Sequence, residues 1–294
     1  MHGEGIQKDA HSEAERGNRM AFSVNTNAGA LAALRNLRAV NNQLSTVQNR
    51  IATGLKVSGA KDDAATFAIA QRMRGDLAGL RAVKGSIARA QSSIDVAIAG
   101  AEAISDLLIE MKEKAVAAKD SGLDTASRQS LNQDFQQLRD QITSIVENAQ
   151  FNGRNLLEAN GQSIAAIINS SGSDSLQITA QDLSLGGANI GITAGQTVST
   201  AAGASTAVDA ISSAIDNVNG ALSALGSGAR RLTLQQEFTN KLSDAIEVGV
   251  GNLVDADLAA EAAQLQALQV KQQLAIQALA IANRAPSSIL LLFQ

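Results

Sequence analysis

The apolar residues of this chain recur in steps of three and four over most of its length, and that spacing leaves few folds open. Leu37, Val40, Leu44, Val47 and Ile51 step by 3, 4, 3 and 4. Leu131, Phe135, Leu138, Ile142 and Ile145 step by 4, 3, 4 and 3, as do Ile211, Ile215, Val218, Leu222 and Leu225. An α-helix turns once every ~3.6 residues, so such steps place the apolar side chains on one seam of a coiled coil. A fourth series runs from Ile69, Met73, Leu77 and Leu80 through Ile94, Ile98, Ala101, Ile104, Leu108, Met111 and Ala115 with no strong breaker. A fifth segment, from Asn252 to Gln294, carries Leu258, Leu265, Leu268, Ile276 and Leu279 on an Ala- and Gln-rich helix that is expected to stop near Pro286, the single proline. What fills these seams is small. The 294 residues include 54 Ala and 6 Phe but no Trp and no Tyr. Each aromatic ring would bury ~150–250 Å², so without them the apolar contact must come from many short side chains on closely packed helices. A β-sandwich, which favours aromatic and β-branched residues, fits poorly. The expected fold class is mainly α: a long antiparallel helical bundle or coiled coil formed by the N- and C-terminal segments, with a small β-hairpin in the middle.

Breaker residues divide the chain. Gly54 and Gly59 bracket Lys56-Val57-Ser58, and Lys61 leads into Asp62 and Asp63, whose carboxylates can accept the free amide protons that begin a helix. Asp120-Ser121-Gly122 ends that helix, Asp124 or Thr125 caps the next, and Asn152-Gly153 reads as a turn. Residues 160–205 turn to Ser, Thr, Gly and Asn. There Leu176-Gln177-Ile178 and Leu183-Ser184-Leu185 predict a small hairpin with a loose loop. Gly226 with Gly228, and Gly249 with Gly251, predict further breaks. The organisation expected is residues 1–19 as a disordered leader or mis-assigned start before Met20, 20–61 with 253–294, 62–159 with 206–252, and 160–205.

The residues that are missing bound the chemistry. There is no Cys, and both His, His2 and His11, lie in the first eleven residues. No Ser-His-Asp triad, Cys-His pair, thiolate zinc site or H-E-x-x-H helix can be built from the body of the chain; carboxylate-only or Lys-based catalysis stays formally open, and no catalytic residue, metal or cofactor is expected. The net charge is −4 and the Lys and Arg are scattered, which gives no nucleic-acid footprint. No apolar run approaches the ~20 residues of a membrane span, and residues 1–19 lack the apolar core of a Sec-type signal.

Several blocks, in order, carry a resemblance. Asn25-Thr26-Asn27 precedes the first Leu-rich helix. Ile51 to Ala65, IATGLKVSGAKDDAA, continues to Ala68-Ile69-Ala70-Gln71-Arg72. Ala149-Gln150-Phe151-Asn152-Gly153 follows a long helix, and Asn252-Leu253-Val254-Asp255-Ala256-Asp257 and Gln277 to Asn283 lie near the other end. Together they resemble bacterial flagellins, most closely the short alphaproteobacterial type, from Met20 to Gln294. The resemblance implies a secreted, extracellular structural subunit. It would be exported unfolded by the flagellar type III apparatus and assembled into the flagellar filament that drives swimming. It implies an inner tube of paired termini (20–61 with 253–294), an outer-tube helical domain (62–159 with 206–252) and a compact variable segment (160–205). Inner-tube packing would fall to Leu37, Val40, Leu44, Val47, Ile51, Leu258, Leu265, Leu268, Ile276 and Leu279. Gly54, Gly59, Lys61, Asp62 and Asp63 would form the signature or spoke segment. The implied partners are further copies of the chain, an export chaperone at the C-terminal helix, and hook-associated and cap proteins, with no nucleic acid and no membrane insertion. Flagellins sensed by an animal innate receptor carry an Arg and a Leu where this chain aligns Glu110 and Lys114, so that face is expected to be altered. The rival is the hook–filament junction protein, whose Pro-Ser-Asp-Asp-Pro version of the signature is replaced here by Gly59-Ala60-Lys61-Asp62-Asp63-Ala64-Ala65.

Overall fold

The computed structural model describes residues 26–290, with side chains described through residue 284. The leader expected over residues 1–19, and the start at Met20, lie outside the described residues. Among the described residues, five helices and two small antiparallel hairpins follow one another: α1 (Ala28–Thr53), α2 (Ala64–Ala118), α3 (Thr125–Asn148), β1 (Gln150–Phe151), β2 (Arg154–Asn155), β3 (Ile164–Ile167), β4 (Ser175–Ile178), α4 (Ala201–Val254) and α5 (Leu258–Leu290). The mainly α class is the one expected. The chain forms two compact units: a terminal unit of residues up to Gln71 and from Gly249, and a central unit from Arg72 to Val248.

The central unit is built on unbroken seams. Along α2 from Leu80 onward the buried apolar residues are Leu80, Val83, Ile87, Ala90, Ile94, Ala97, Ala101, Ile104, Leu108, Met111, Ala115 and Ala118, in alternating steps of three and four, with Ser86 buried beside Ile87. Along α4 they are Ala204, Ala207, Ile211, Ala214, Val218, Ala221, Leu225 and, after Gly228, Leu232. A strict seven-residue repeat keeps one stripe facing its neighbours over many turns. With Phe135, Ile142 and Val146 of α3, these residues from Val83 onward form one continuous apolar cluster.

The glycines expected to break α4 do not. The helix runs for 54 residues through Gly226, Gly228, Gly249 and Gly251. At Gly228 the reason is packing: it falls on the seam, where a Cβ would lie 3.1 Å from Ile178 Cδ1 and 3.8 Å from Ile94 Cδ1. Gly100 on α2 has the same role, since a Cβ there would meet Leu157 Cδ1 at 2.9 Å and Ala149 Cβ at 3.2 Å. The ~1 kcal/mol that a glycine costs inside a helix is offset by side chains that enter the space a Cβ would fill.

Between α3 and α4 the chain supplies those side chains. Asp124 caps α3 by accepting the Ser127 amide at 2.6 Å. After the helix, Asn152 and Gly153 both take positive φ, 51° and 73°, the two-residue turn that joins β1 to β2. Asn155 then holds the bend, donating to Val146 O at 2.6 Å and accepting from Leu157 N at 2.8 Å. The second hairpin differs from the one expected. β4 pairs with β3, from Ile164↔Ile178 to Ile167↔Ser175. The expected Leu183–Leu185 strand is absent, because the Leu183 amide is taken by Leu157 O at 2.8 Å. The stretch expected to be loose is packed: Leu183, Ile190, Ile192 and Val198 all join the core. Asn132, itself buried, accepts from Val198 N at 2.8 Å.

Gly228→Leu should therefore lower stability by about 1–3 kcal/mol through overpacking. Gly75→Ala, where a Cβ would meet nothing within 4 Å, should raise it by about 0.5–1 kcal/mol. Urea unfolding followed by circular dichroism checks both; equal shifts for the two would show that Gly228 is not a packing glycine.

Candidate assembly surface

The terminal unit is an antiparallel pair, α1 against α5, and local sequence fixes the ends of both helices. Asn27 begins α1, its Oδ1 accepting from Ala30 N at 2.9 Å. Gly54 ends it in the left-handed region at φ 71°, where glycine meets no Cβ penalty. Asp257 begins α5, its Oδ1 accepting from Ala259 N and Ala260 N at 3.0 and 3.1 Å. Just beyond, backbone bonds tie the two strands of chain together: Lys56 N and Val57 N donate to Val254 O at 2.7 and 3.2 Å, and Ala256 N donates to Gly54 O at 2.9 Å. Three side-chain links then climb the pair. Arg50 Nη1 meets Glu261 Oε1 at 3.0 Å, Gln272 Nε2 donates to Asn41 Oδ1 at 2.8 Å, and Asn27 Nδ2 donates to Ala282 O at 2.6 Å. As one helix ascends the other descends in step, so a single register holds to within about one turn from end to end.

Of the ten residues expected to pack the termini, eight lie along this pairing. Val47 and Leu268 are buried, and Leu37, Val40, Leu44, Ile51, Leu265 and Leu279 are half-buried. Leu258 and Ile276 point away, 50% and 52% exposed. On α5 the covered positions are Glu261, Leu265, Leu268, Gln272, Ala275, Leu279 and Ala282, again in steps of four and three. Apolarity alone selected Leu258 and Ile276. Leu258 keeps the heptad phase of Leu265, Gln272 and Leu279 and is exposed as the first residue of α5, whereas Ile276 lies one residue off the phase of Glu261, Leu268, Ala275 and Ala282.

Behind that seam α5 carries a second apolar face. Val270, Leu274 and Ile281 are 56%, 57% and 70% exposed. At about 100° per residue they share one side of the helix, opposite Leu265, Leu268 and Leu279. Ala263, Ala267 and Ala278 flank them, also exposed. A helix that is apolar on opposite sides is suited to burial on both. Where the helices meet near their outer ends, a groove of about 440 Å³ is lined by Asn27, Ala30, Leu31, Leu34, Leu279 and Asn283, among others.

The signature segment is held by its aspartates. Asp62 Oδ2 accepts from Ser58 Oγ at 2.8 Å, Ser58 N at 2.9 Å and Gly59 N at 3.1 Å. Asp63 caps α2, accepting from Thr66 Oγ1 at 2.7 Å, Ala65 N at 3.0 Å and Thr66 N at 3.1 Å. These donors favour the ionised carboxylates. The Ser58 hydroxyl lowers the pKa of Asp62 most, and the Thr66 hydroxyl that of Asp63. Lys61 is exposed beside them. Sequence reasoning missed the polar pair within the seam: Glu261 is buried, and its Oε2 and Arg50 Nε make no hydrogen bond within the chain. In the central unit, Glu110 is exposed, and Lys114 Nζ lies 3.7 Å from Asp134 Oδ2 beside a shallow pocket that both line.

Among the described residues, no group of three or more His, Asp or Glu is placed to hold a metal ion, and no helix is long and apolar enough to cross a membrane. Models of the bacterial flagellin N-terminal and C-terminal helical regions match residues 24–162 and 208–293. Flagellin FljM of Caulobacter vibrioides is 47% identical over 92% of this chain and 98% of its own length. A flagellin of Brucella melitensis is 34% identical over 92% of this chain and 99% of its own. A structure from Vibrio parahaemolyticus described as a flagellar hook-associated protein shares the fold, with a TM-score of 0.55 at 15% identity, over 66% of this chain and all of that one. The chain belongs to the bacterial flagellin family, the structural subunits of the flagellar filament.

Proposed function

We propose that the chain builds the extracellular filament by polymerising through its terminal helix pair, after export in the unfolded state by the flagellar type III apparatus. The outward face of α5 carries this reading: Val270, Leu274 and Ile281 stand in water on the side away from α1, and each would gain ~1.5–3 kcal/mol on full burial. Further copies of the chain are the occupants that a repeating polymer supplies. Leu258 and Ile276, half-exposed in the isolated pair, then serve packing between subunits. Leu37, Val40, Leu44, Val47, Ile51, Leu265, Leu268 and Leu279 hold the pair itself. Gly54, Gly59, Lys61, Asp62 and Asp63 form the connection out of the pair. Before assembly the same apolar face is the place for an export chaperone, and in the filament its ends meet hook-associated and cap proteins. The role is structural, and no reaction is assigned to the chain. Glu110 and the Lys114–Asp134 pair put charges of both signs where receptor-recognised flagellins carry Arg and Leu, which weakens innate recognition.

A chain truncated before Leu253 should remain a helical monomer that seeded sedimentation and electron microscopy show unable to elongate filaments; normal filaments from it would refute the assembly surface. Glu261→Ala leaves Arg50 unpaired within the seam and should weaken the pair by about 2 kcal/mol, read as a raised critical concentration for polymerisation. Because the pKa values of Asp62 and Asp63 are depressed below 3.8, their stabilisation is complete above that pH and is lost as pH falls through the lower folded-state values. Replacing both with Asn should flatten the acid limb of a circular-dichroism titration below pH 3.8; an unchanged limb would mean these turns do not drive acid loosening.

A further inference from the structure

The backbone of α5 stays helical to Leu290 and so passes through Pro286, where the sequence predicts a stop. Proline has no N–H, so it cannot make the helix-interior bond to the carbonyl four residues earlier, and here that carbonyl is Ala282. This oxygen accepts Asn27 Nδ2 at 2.6 Å. The other end of the same side chain, Oδ1, caps α1 by accepting from Ala30 N at 2.9 Å. One amide thus satisfies two vacancies, a free donor at the start of α1 and the acceptor that Pro286 releases in α5. Gly29 lies beside this link, where a Cβ would make ordinary van der Waals contact with Asn27 Oδ1 at 3.5 Å and Ala282 Cβ at 4.0 Å.

We infer that Asn27 and Pro286 together form a register lock for the terminal helix pair. The apolar seam repeats every seven residues, so its contacts alone tolerate a slip along the pair, and a polar group at one position is what specifies register. Elsewhere in the interior of α5 each carbonyl is engaged by the amide four residues on. A slipped Asn27 would face a carbonyl that already accepts one helix bond, a weaker acceptor than the Ala282 O that Pro286 leaves free. Asp would cap α1 but could not donate to Ala282 O, and Ser would cap it with a shorter side chain. Asn27 is a positioning residue that acts through Ala282, and its effect depends on the proline. The inference concerns the fold of the pair and does not rest on polymerisation.

The test is a double-mutant cycle on the full chain, in the state of assembly that the unmutated protein adopts, read by hydrogen exchange at residues 28–34 and 279–284. Asn27→Ser keeps a cap acceptor and should speed exchange at both ends about tenfold. Pro286→Ala returns an N–H to Ala282 O and should leave exchange unchanged or slower. In the double variant, protection should return to within about twofold of the Pro286→Ala chain. An equal effect of Asn27→Ser in both backgrounds, no effect in either, or no protection of these amides in the unmutated chain would each overturn the lock. Electron microscopy of the unmutated sample reads filament formation separately, so failure of the assembly reading is distinguishable from failure of the lock.

Discussion

Small residues on the helix seams leave room for larger side chains from neighbouring segments, and the packing of the central unit depends on that room. Along α2 and α4, Ala is interspersed with Ile, Leu, Val or Met, so large side chains find space beside small ones. No ring is needed to fill the gap; Phe135 is the one aromatic among the fully buried residues. Where even Ala is too large, Gly100 and Gly228 admit Leu157 and Ile178 from the segment between α3 and α4. That segment is therefore part of the packing of the long helices. Its polar composition is reconciled with burial by Asn132 and Asn155, which take up backbone groups that would otherwise be unpaired.

The terminal unit is held differently. Few of its residues are fully buried, its seam is half-covered, and three polar links supplement the apolar contact. Isolated helices gain little from propensity alone, so a pair with a thin seam is poised for further contact. The Arg50–Glu261 link shows the same incompleteness: a nearly buried carboxylate uses one oxygen within the chain and leaves the other free. A pair made this way keeps its register while leaving much of its apolar surface available.

The heptad steps made the helices of this fold legible in the sequence, and the capping roles of Asn27, Asp63 and Asp124 follow from side-chain chemistry at helix starts. Glycine was misread at positions 226, 228, 249 and 251, because a lone sequence does not show whether a missing Cβ bends the backbone or admits a neighbour. Position 183 was misread as strand because alternation over three residues cannot show that its amide is already taken by Leu157. The buried role of 190, 192 and 198 was invisible for a related reason: these residues follow no period and belong to the core only by tertiary contact. On α5, the apolar count drew attention to Leu258 and Ile276, while the seam continued through residues that are polar or small. Pro286 was read as a stop because the side chain that takes the carbonyl it releases, Asn27 on Ala282 O, lies 255 residues from that carbonyl.

The outward face of α5 is apolar yet shallow, with alanines around three larger side chains. Covering a methylene removes only ~0.8 kcal/mol of unfavourable hydration, so in the proposed assembly a subunit that landed on this face in the wrong orientation would engage few such groups and leave quickly. Only the seating that covers all of them at once persists. A surface of many weak contacts lets a growing polymer discard its mistakes, which a few strong aromatic anchors would have trapped.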